Sequence, residues 1–325
     1  MQGISRAVVW LSALEKQMMQ LLLFALLCCA PLAAQPQSDV IYGYKSGMAL
    51  VMDVLSPAKP NGAGVIEVMS GGMNSDPVRY RPWLDKPHAR ALLASGYTVF
   101  AVYHSSQPKY TIPEIEEDLL RAVRFIRHSA ARFRIHPERL GIIGFSSGGH
   151  LALFTGMAGK AGSTDAPDPV DREPSRVRAV VAYFGGGDFL NFGGEGISVE
   201  QAPLGSGRRG PFDYHEWSAE RGRFERIGDD VHYRKVLLEI SPATHVTPDD
   251  PPTLLIHGDM DKTVPIQQSR LMLSLLEKAG VPAKLEVKAG LAHGWQPDAA
   301  ELALVTGWFD RYLLRDPVPP DGARR

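Results

Sequence analysis

The sequence predicts an α/β domain in which helices cover both faces of a mostly parallel central sheet and the N-terminal edge of that sheet is antiparallel. Two observations support this prediction. Short apolar segments alternate along the chain with longer segments of helical periodicity, as in parallel strands joined by crossover helices. The first two predicted strands, at residues 40–44 and 49–55, have no helix between them, so we expect an antiparallel hairpin there.

The composition is that of a globular protein. Of the 325 residues, 44% are hydrophobic and 22% are charged, and 35 Lys and Arg nearly balance 36 Asp and Glu. This apolar content argues against an intrinsically disordered chain, and the lack of excess positive charge argues against a nucleic-acid binder. Two cysteines in a chain of this length are too few for a disulfide-stapled scaffold.

Residues 1–34 are predicted to be a signal peptide. The nine apolar residues 21–29 are followed by Ala33, Ala34 and a polar stretch, which resembles the apolar region and cleavage site of such a peptide. A span of the bilayer takes about 20 helical residues, more than this run provides. The alternative is a short N-terminal membrane anchor that is retained. We expect a secreted or periplasmic protein.

The other elements follow in order between residues 64 and 314. Strands are predicted at residues 64–69, 97–103, 140–145, 177–184, 253–257 and 284–288. Helices are predicted at residues 83–94, 112–132, 265–278 and 298–314, and a further helix begins directly after residue 145. We interpret residues 39–315 as one domain and residues 316–325 as a tail.

Residues 186–235 interrupt this alternation and are rich in Gly, Pro and charged residues. The aromatic residues of this stretch include Phe189, Phe192, Phe212, Tyr214 and Trp217. An inserted loop of such length in a compact domain is usually functional or disordered. We therefore interpret the stretch as a cap-like insert over a binding pocket.

The strand at residues 140–145 leads into a G-x-S-x-G sequence centred on Ser146. At a sharp strand-to-helix turn this motif holds a nucleophilic serine in strained backbone geometry, and the residues two before and two after it must be small. Gly144 and Gly148 meet that requirement around Ser146, whereas Phe145 would clash if Ser147 were central. Ser146 is the predicted nucleophile, and a helix-capping serine is the alternative.

A serine nucleophile needs a base, and the base needs an orienting acid. In a sheet of this kind, both follow the nucleophile on loops after later strands. Asp261 follows the strand at residues 253–257, and His293 follows the strand at residues 284–288. Asp259 competes with Asp261, but it lies nearer the strand end, where it can cap a turn. The predicted triad is therefore Ser146, His293 and Asp261.

Attack on a carbonyl also needs N–H donors for the developing oxyanion. The N–H of Ser147 is one predicted donor. Gly72 and Met73, in the Gly-rich turn after residues 64–69, are the others, in a register that the sequence leaves open by one residue. The alternative is an ordinary strand-ending turn. The sequence has no HExxH, no CxxC and no clustered carboxylates, so we expect neither a cofactor nor a metal.

Three further histidines have weaker claims to a role. His104 follows a predicted strand and is a candidate for the pocket lining. His150 lies on the helix after Ser146, where we expect it to pack against the sheet. His257 ends a predicted buried strand.

At these residues the sequence resembles the α/β-hydrolase superfamily. It is most similar to the branch of carboxylesterases, feruloyl and acetyl-xylan esterase-like enzymes and hormone-sensitive-lipase-like proteins. The similar stretches are residues 118–127, 139–153, 240–244, 255–269 and 292–295. The resemblance implies the α/β-hydrolase fold and assigns the acid to Asp261. The chain departs from the family's H-G-G-G turn, since Ser70 stands at the position of the histidine.

The resemblance implies a serine hydrolase that cleaves carboxylic esters through an acyl-enzyme, and the predicted signal peptide makes us expect it to be secreted. We expect short to medium acyl groups on a small-molecule or carbohydrate-linked ester, and no membrane contact beyond the alternative N-terminal anchor. One alternative is a prolyl-oligopeptidase-like peptidase or amidase with the same triad, which the short segment before the first strand disfavours. The other is a non-catalytic binding protein of the same fold. The oligomeric state does not follow from the sequence.

Overall fold

A computed structural model of the chain describes residues 36–199, 201, 212, 214–227 and 230–315. The predicted signal peptide at residues 1–34 and the predicted tail at residues 316–325 lie outside the described residues, as does part of the predicted insert.

The described domain contains a central sheet of eight strands and a separate sheet of two strands. The strands in chain order are β1 (Gln37–Lys45), β2 (Met48–Leu55), β3 (Gly64–Val68), β4 (Thr98–Val102), β5 (Leu140–Phe145), β6 (Ala179–Tyr183), β7 (His215–Ser218), β8 (Arg223–Arg226), β9 (Thr253–Gly258) and β10 (Ala283–Lys288). The spatial order in the central sheet is β1-β2-β4-β3-β5-β6-β9-β10, while β7 and β8 form a separate antiparallel hairpin.

The strand directions confirm the predicted architecture. The pairs β1–β2 and β2–β4 are antiparallel. From β4 to β10 each neighbouring pair in the central sheet is parallel. Each residue of β3, β4 and β6 is buried, as expected for parallel strands covered on both faces.

Helices lie on both faces of the sheet. In chain order they are α1 (Pro77–Tyr80), α2 (Pro87–Ala94), α3 (Ile112–His128), α4 (Ala130–Phe133), α5 (Ser147–Met157), α6 (Asp230–Glu239), α7 (Gln267–Lys278) and α8 (Ala299–Phe309). Shorter 3-10 turns occupy Arg81–Asp85, Pro169–Arg172 and Pro242–His245, and a π turn occupies Asp310–Leu314. One buried cluster joins the sheet to α3, α5 and α7, and a second joins it to α2 and α8. None of the helices in the described part of the chain has the length and apolar character needed to cross a bilayer.

Two predicted helices are interrupted in the structure. The helix predicted at residues 83–94 begins only at Pro87, because proline has no N–H to donate and is well suited to the first turn. The helix predicted at residues 112–132 leaves helical geometry at Ser129, with φ −94° and ψ 14°, and resumes as α4. The apolar spacing continues across this break because Ala130 and Phe133 of α4 are also buried.

The predicted insert contains the hairpin β7–β8 and the start of α6. Four of the aromatic residues that mark it in the sequence are buried in the main core: Phe189, Phe192, Phe212 and Tyr214. Trp217, on β7, is 58% exposed and lies edge-on to Phe224 of β8. The insert is therefore anchored in the core through part of its aromatic residues. A capping role for it stays a prediction.

The packing of α8 on β5 predicts opposite effects for two Gly→Ala substitutions. A Cβ at Gly141 would lie 2.6 Å from the ring of Phe309, whereas a Cβ at Gly307 would meet nothing within 4 Å. We expect Gly141→Ala to lower the free energy of unfolding by about 1–3 kcal/mol through overpacking. Gly307→Ala should raise it by about 0.5–1 kcal/mol, since alanine favours the helix. Urea denaturation measures both, and a Gly141→Ala protein as stable as the wild type would contradict this packing.

Candidate active site

Ser146 lies at the sharp turn between β5 and α5. Its backbone has φ 56° and ψ −120°, a conformation that an L-residue adopts only under constraint. The Ser146 N–H donates to Tyr183 O at 3.0 Å, and its carbonyl accepts from the His150 N–H at 3.0 Å. A Cβ at Gly144 would lie only 2.0 Å from Gly148 O, so the turn can close only if residue 144 is glycine.

The structure brings the three predicted triad residues together. Ser146 Oγ lies 2.8 Å from His293 Nε2, and His293 Nδ1 lies 2.7 Å from Asp261 Oδ2. Because a carboxylate only accepts hydrogen bonds, the His293 proton belongs on Nδ1 and the lone pair of Nε2 faces Ser146. This is the arrangement in which a histidine can take the serine proton.

The carboxylate of Asp261 is enclosed and fully satisfied. Its side chain has no exposed surface. Oδ1 accepts from the N–H groups of Thr263 at 2.8 Å and Val264 at 2.9 Å. Burial acts to raise the pKa of this carboxyl, but hydrogen bonds from His257, His293 and the Val264 N–H outweigh burial and leave the pKa well below its usual value. Asp261 is therefore charged at neutral pH.

Asp259, the competing acid, has a structural position. Its Oδ1 accepts from the Gly290 N–H at 2.7 Å. One residue further on, the Met260 N–H donates to Leu291 O at 3.0 Å. These bonds join the loop after β9 to the loop after β10, so Asp259 helps to set the distance between Asp261 and His293.

A buried carboxylate also anchors the loop after β10, which contains His293. Glu301, in the first turn of α8, is 2% exposed and lies 3.2 Å from Trp295 Nε1 and 2.9 Å from Lys288 Nζ. On the other side, the ring of Phe184 lies edge-on to His293 with 4.7 Å between ring centres. Sequence reasoning missed Glu301, because an acidic residue in the first turn of a helix is already accounted for by the helix dipole.

The Gly-rich turn after β3 lies beside the nucleophile turn. It is closed by two hydrogen bonds between Gly71 and Asn74, at 2.9 and 3.2 Å, and both Gly72 and Met73 have positive φ, near 60°. Ser70 Oγ lies 3.0 Å from Ser147 Oγ, so this turn is adjacent to the residue that follows Ser146. The donor roles of the Gly72, Met73 and Ser147 N–H groups stay predictions.

The loop after β4 supports the Gly-rich turn. The Gln107 N–H donates to Met73 O at 3.0 Å, and the Ser75 N–H donates to Ser106 Oγ at 2.8 Å. This loop is in turn held by Asp118 of α3, whose Oδ2 accepts from the Ser105 N–H at 2.9 Å.

Lys45, at the end of β1, pairs with Asp118 and thereby helps to hold the loop after β4. Its Nζ lies 2.6 Å from Asp118 Oδ1, and the Asp118 side chain is only 1% exposed. The sequence offered one signal for the supporting role of Asp118, because Asp118 is a charged residue beside the apolar stripe of Ile115 and Leu119. The sequence did not identify Lys45 as the partner, because Lys45 lies far from Asp118 along the chain.

Two of the other histidines singled out in the sequence, His104 and His150, are buried. His104 Nδ1 lies 2.6 Å from Ser105 O, and burial lowers the pKa of His104 to about 4. His150 does not pack against the sheet alone, since its ring lies 4.6 Å from that of Phe189 in the insert and its Nδ1 is 3.0 Å from Gly186 O. Within the described ranges, no group of three or more His, Cys, Asp or Glu side chains is arranged to hold a metal ion.

The strand order and the position of Ser146 directly after β5 place this domain in the α/β-hydrolase fold class. Among solved structures, a truncated form of a carbohydrate esterase from gut microbiota superposes with a TM-score of 0.69. The superposition covers 86% of this chain and 96% of that chain, at 24% sequence identity. At this identity the likeness concerns the fold.

The family is given by the match to a family model. The model described as BD-FAE matches residues 52–276, and the chain belongs to that family. Esterase LipQ of Mycobacterium tuberculosis is 25% identical over 270 residues, which are 80% of this chain and 57% of LipQ. The probable isoprenylcysteine alpha-carbonyl methylesterase ICME of Oryza sativa subsp. japonica is 23% identical over 263 residues, which are 78% of this chain and 57% of that protein. The matched region thus spans little more than half the length of these relatives.

Proposed function

We propose that this chain hydrolyses carboxylic esters through an acyl-enzyme on Ser146. The observation that carries the proposal is the continuous hydrogen-bonded array from Ser146 through His293 to the charged Asp261, with contacts of 2.8 and 2.7 Å. The names of the relatives LipQ and ICME, an esterase and a probable methylesterase, support ester hydrolysis.

In the first half of the reaction, Ser146 Oγ attacks the ester carbonyl carbon while its proton passes to His293 Nε2. The carbonyl oxygen becomes an oxyanion that the N–H groups of Ser147, Gly72 and Met73 stabilise. The ester C–O bond then breaks, and the alcohol leaves with the proton from His293. Asp261 stabilises the imidazolium that forms between these two proton transfers.

In the second half, water attacks the acyl-enzyme. His293 Nε2 takes one proton of the water as its oxygen bonds to the acyl carbon, and a second oxyanion forms at the same N–H groups. The bond to Ser146 Oγ breaks, Oγ recovers the proton from His293, and the carboxylic acid departs. No step draws on a group outside the chain other than ester and water.

We extend the proposal to the substrate and the location of the protein. The substrate is a small-molecule or carbohydrate-linked ester with a short to medium acyl group. The likeness in fold to a carbohydrate esterase from gut microbiota supports this class of substrate. Residues 1–34 direct export, and the insert at residues 186–235 caps the pocket. N-terminal sequencing of the exported protein tests whether residues 1–34 are removed during export. An intact Met1 would contradict cleavage of this segment.

We expect Ser146→Ala to lower turnover of p-nitrophenyl esters by about 10³-fold or more, because the acyl-enzyme can no longer form. Ser147→Ala is the matched control: it keeps the backbone N–H and removes only a hydroxyl, and should retain substantial turnover. Rates on acetate, butyrate and octanoate esters give the acyl-length preference. Hydrolysis of aminoacyl amides but not of esters would favour a peptidase instead, and inertness towards both would favour a binding protein.

Substitutions of Asp259 and Asp261, the two aspartates in the loop after β9, should differ sharply in their effect on kcat. In an Asp261→Asn protein the amide can donate to His293 Nδ1, which moves the imidazole proton to Nε2 and removes the base, so kcat should fall by about 10⁴-fold. Asp259→Asn keeps an oxygen for the Gly290 N–H and should leave kcat within about tenfold, a loss that corresponds to ~1.4 kcal/mol. Steady-state kinetics on one ester compares them. A larger loss at residue 259 would reassign the acid.

A further inference from the structure

We propose that His257 is a positioning residue for the triad acid, and that it holds Asp261 through a shared Nε2–H. The proposal rests on the proposed function, in which Asp261 orients His293. His257 belongs to β9 and is fully buried. Its Nε2 lies 2.9 Å from Val264 O and 3.4 Å from Asp261 Oδ2, the same oxygen that faces His293.

The partners of His257 fix its tautomer. A carbonyl oxygen only accepts, so the contact with Val264 O requires the proton on Nε2. Nδ1 then has a lone pair, and the hydroxyl of Ser269 donates to it at 2.7 Å. Ser269 is itself 1% exposed, so water does not compete for this bond. The Nε2–H of this imidazole is therefore directed at the Asp261 turn.

The same contacts immobilise the carboxylate. Both backbone polar groups of Val264 take part. Its N–H donates to Asp261 Oδ1 at 2.9 Å, and its carbonyl accepts from His257. Oδ2 lies between the two imidazoles, of His257 and His293. Among the described residues, these are the two titratable side chains in contact with Asp261. Five side chains thus form one array: Ser269, His257, Asp261, His293 and Ser146.

This arrangement has a consequence that a purely structural histidine would not have. The partial charge on the His257 Nε2–H draws electron density from Oδ2, so Oδ2 attracts the His293 imidazolium less strongly than an unshared carboxylate oxygen would. Removing that donor should therefore favour protonated His293. The acid limb of the pH–kcat/KM profile should move to higher pH, because the base must be unprotonated to act.

The test compares His257→Leu, which removes the donor, with His257→Gln, whose amide nitrogen can take the place of Nε2. For ester hydrolysis we expect His257→Leu to lower kcat by about 10²-fold, as misplaced groups do, with little change in KM and with the acid limb at higher pH. His257→Gln should restore much of the rate and the position of the limb. Equal loss in both variants, or a lower kcat with an unmoved limb, would overturn the proposal.

A second measurement works even if the variants do not fold. In the wild-type protein with ¹⁵N-labelled histidine, NMR should find His257 protonated at Nε2 and unprotonated at Nδ1. The Ser269→Ala protein should show a changed Nδ1 shift. The opposite tautomer would overturn the proposal. If the wild type cleaves no ester, the proposed function fails, while the NMR result still decides whether His257 holds Asp261 in this way.

Discussion

Asp261 carries a negative charge in a place that water does not reach, and the rest of the site is built around that charge. An unpaired buried carboxylate would take up a proton, so the charge persists only because N–H groups surround it. Two of these donors belong to the backbone of Thr263 and Val264, and the others are the imidazoles of His257 and His293. The hydrogen bond between His293 and Asp261 thus contributes to stabilising the charge and also orients the base.

The sheet supplies the geometry that this interaction needs. β5, β6, β9 and β10 are parallel neighbours, so their carboxyl ends deliver Ser146, Phe184, Asp261 and His293 to one edge. Loop-to-loop contacts then refine the distances, as Asp259 does with Gly290 and Ser70 with Ser147. The strained backbone at Ser146 persists because the buried strand β5 fixes the chain before it and the buried helix α5 fixes the chain after it.

Much of this arrangement can be predicted from sequence, because the signals are local. A G-x-S-x-G at a strand end, an aspartate and a histidine after later strands, and a Gly-rich turn each lie within a few residues of a recognisable strand. The supporting contacts cannot be predicted in this way. Lys45 with Asp118 and Lys288 with Glu301 join elements whose proximity depends on the finished fold. The break at Ser129 was hidden because the apolar spacing runs through it.

Labelling with a fluorophosphonate tests the central claim, that this array makes Ser146 a nucleophile. Such a reagent phosphonylates a serine only where a base activates it and N–H donors receive the phosphonyl oxygen. Intact mass should show one adduct per chain, and tandem mass spectrometry should place it on Ser146. An adduct on Ser147, or a folded protein that takes up no label, would contradict the account.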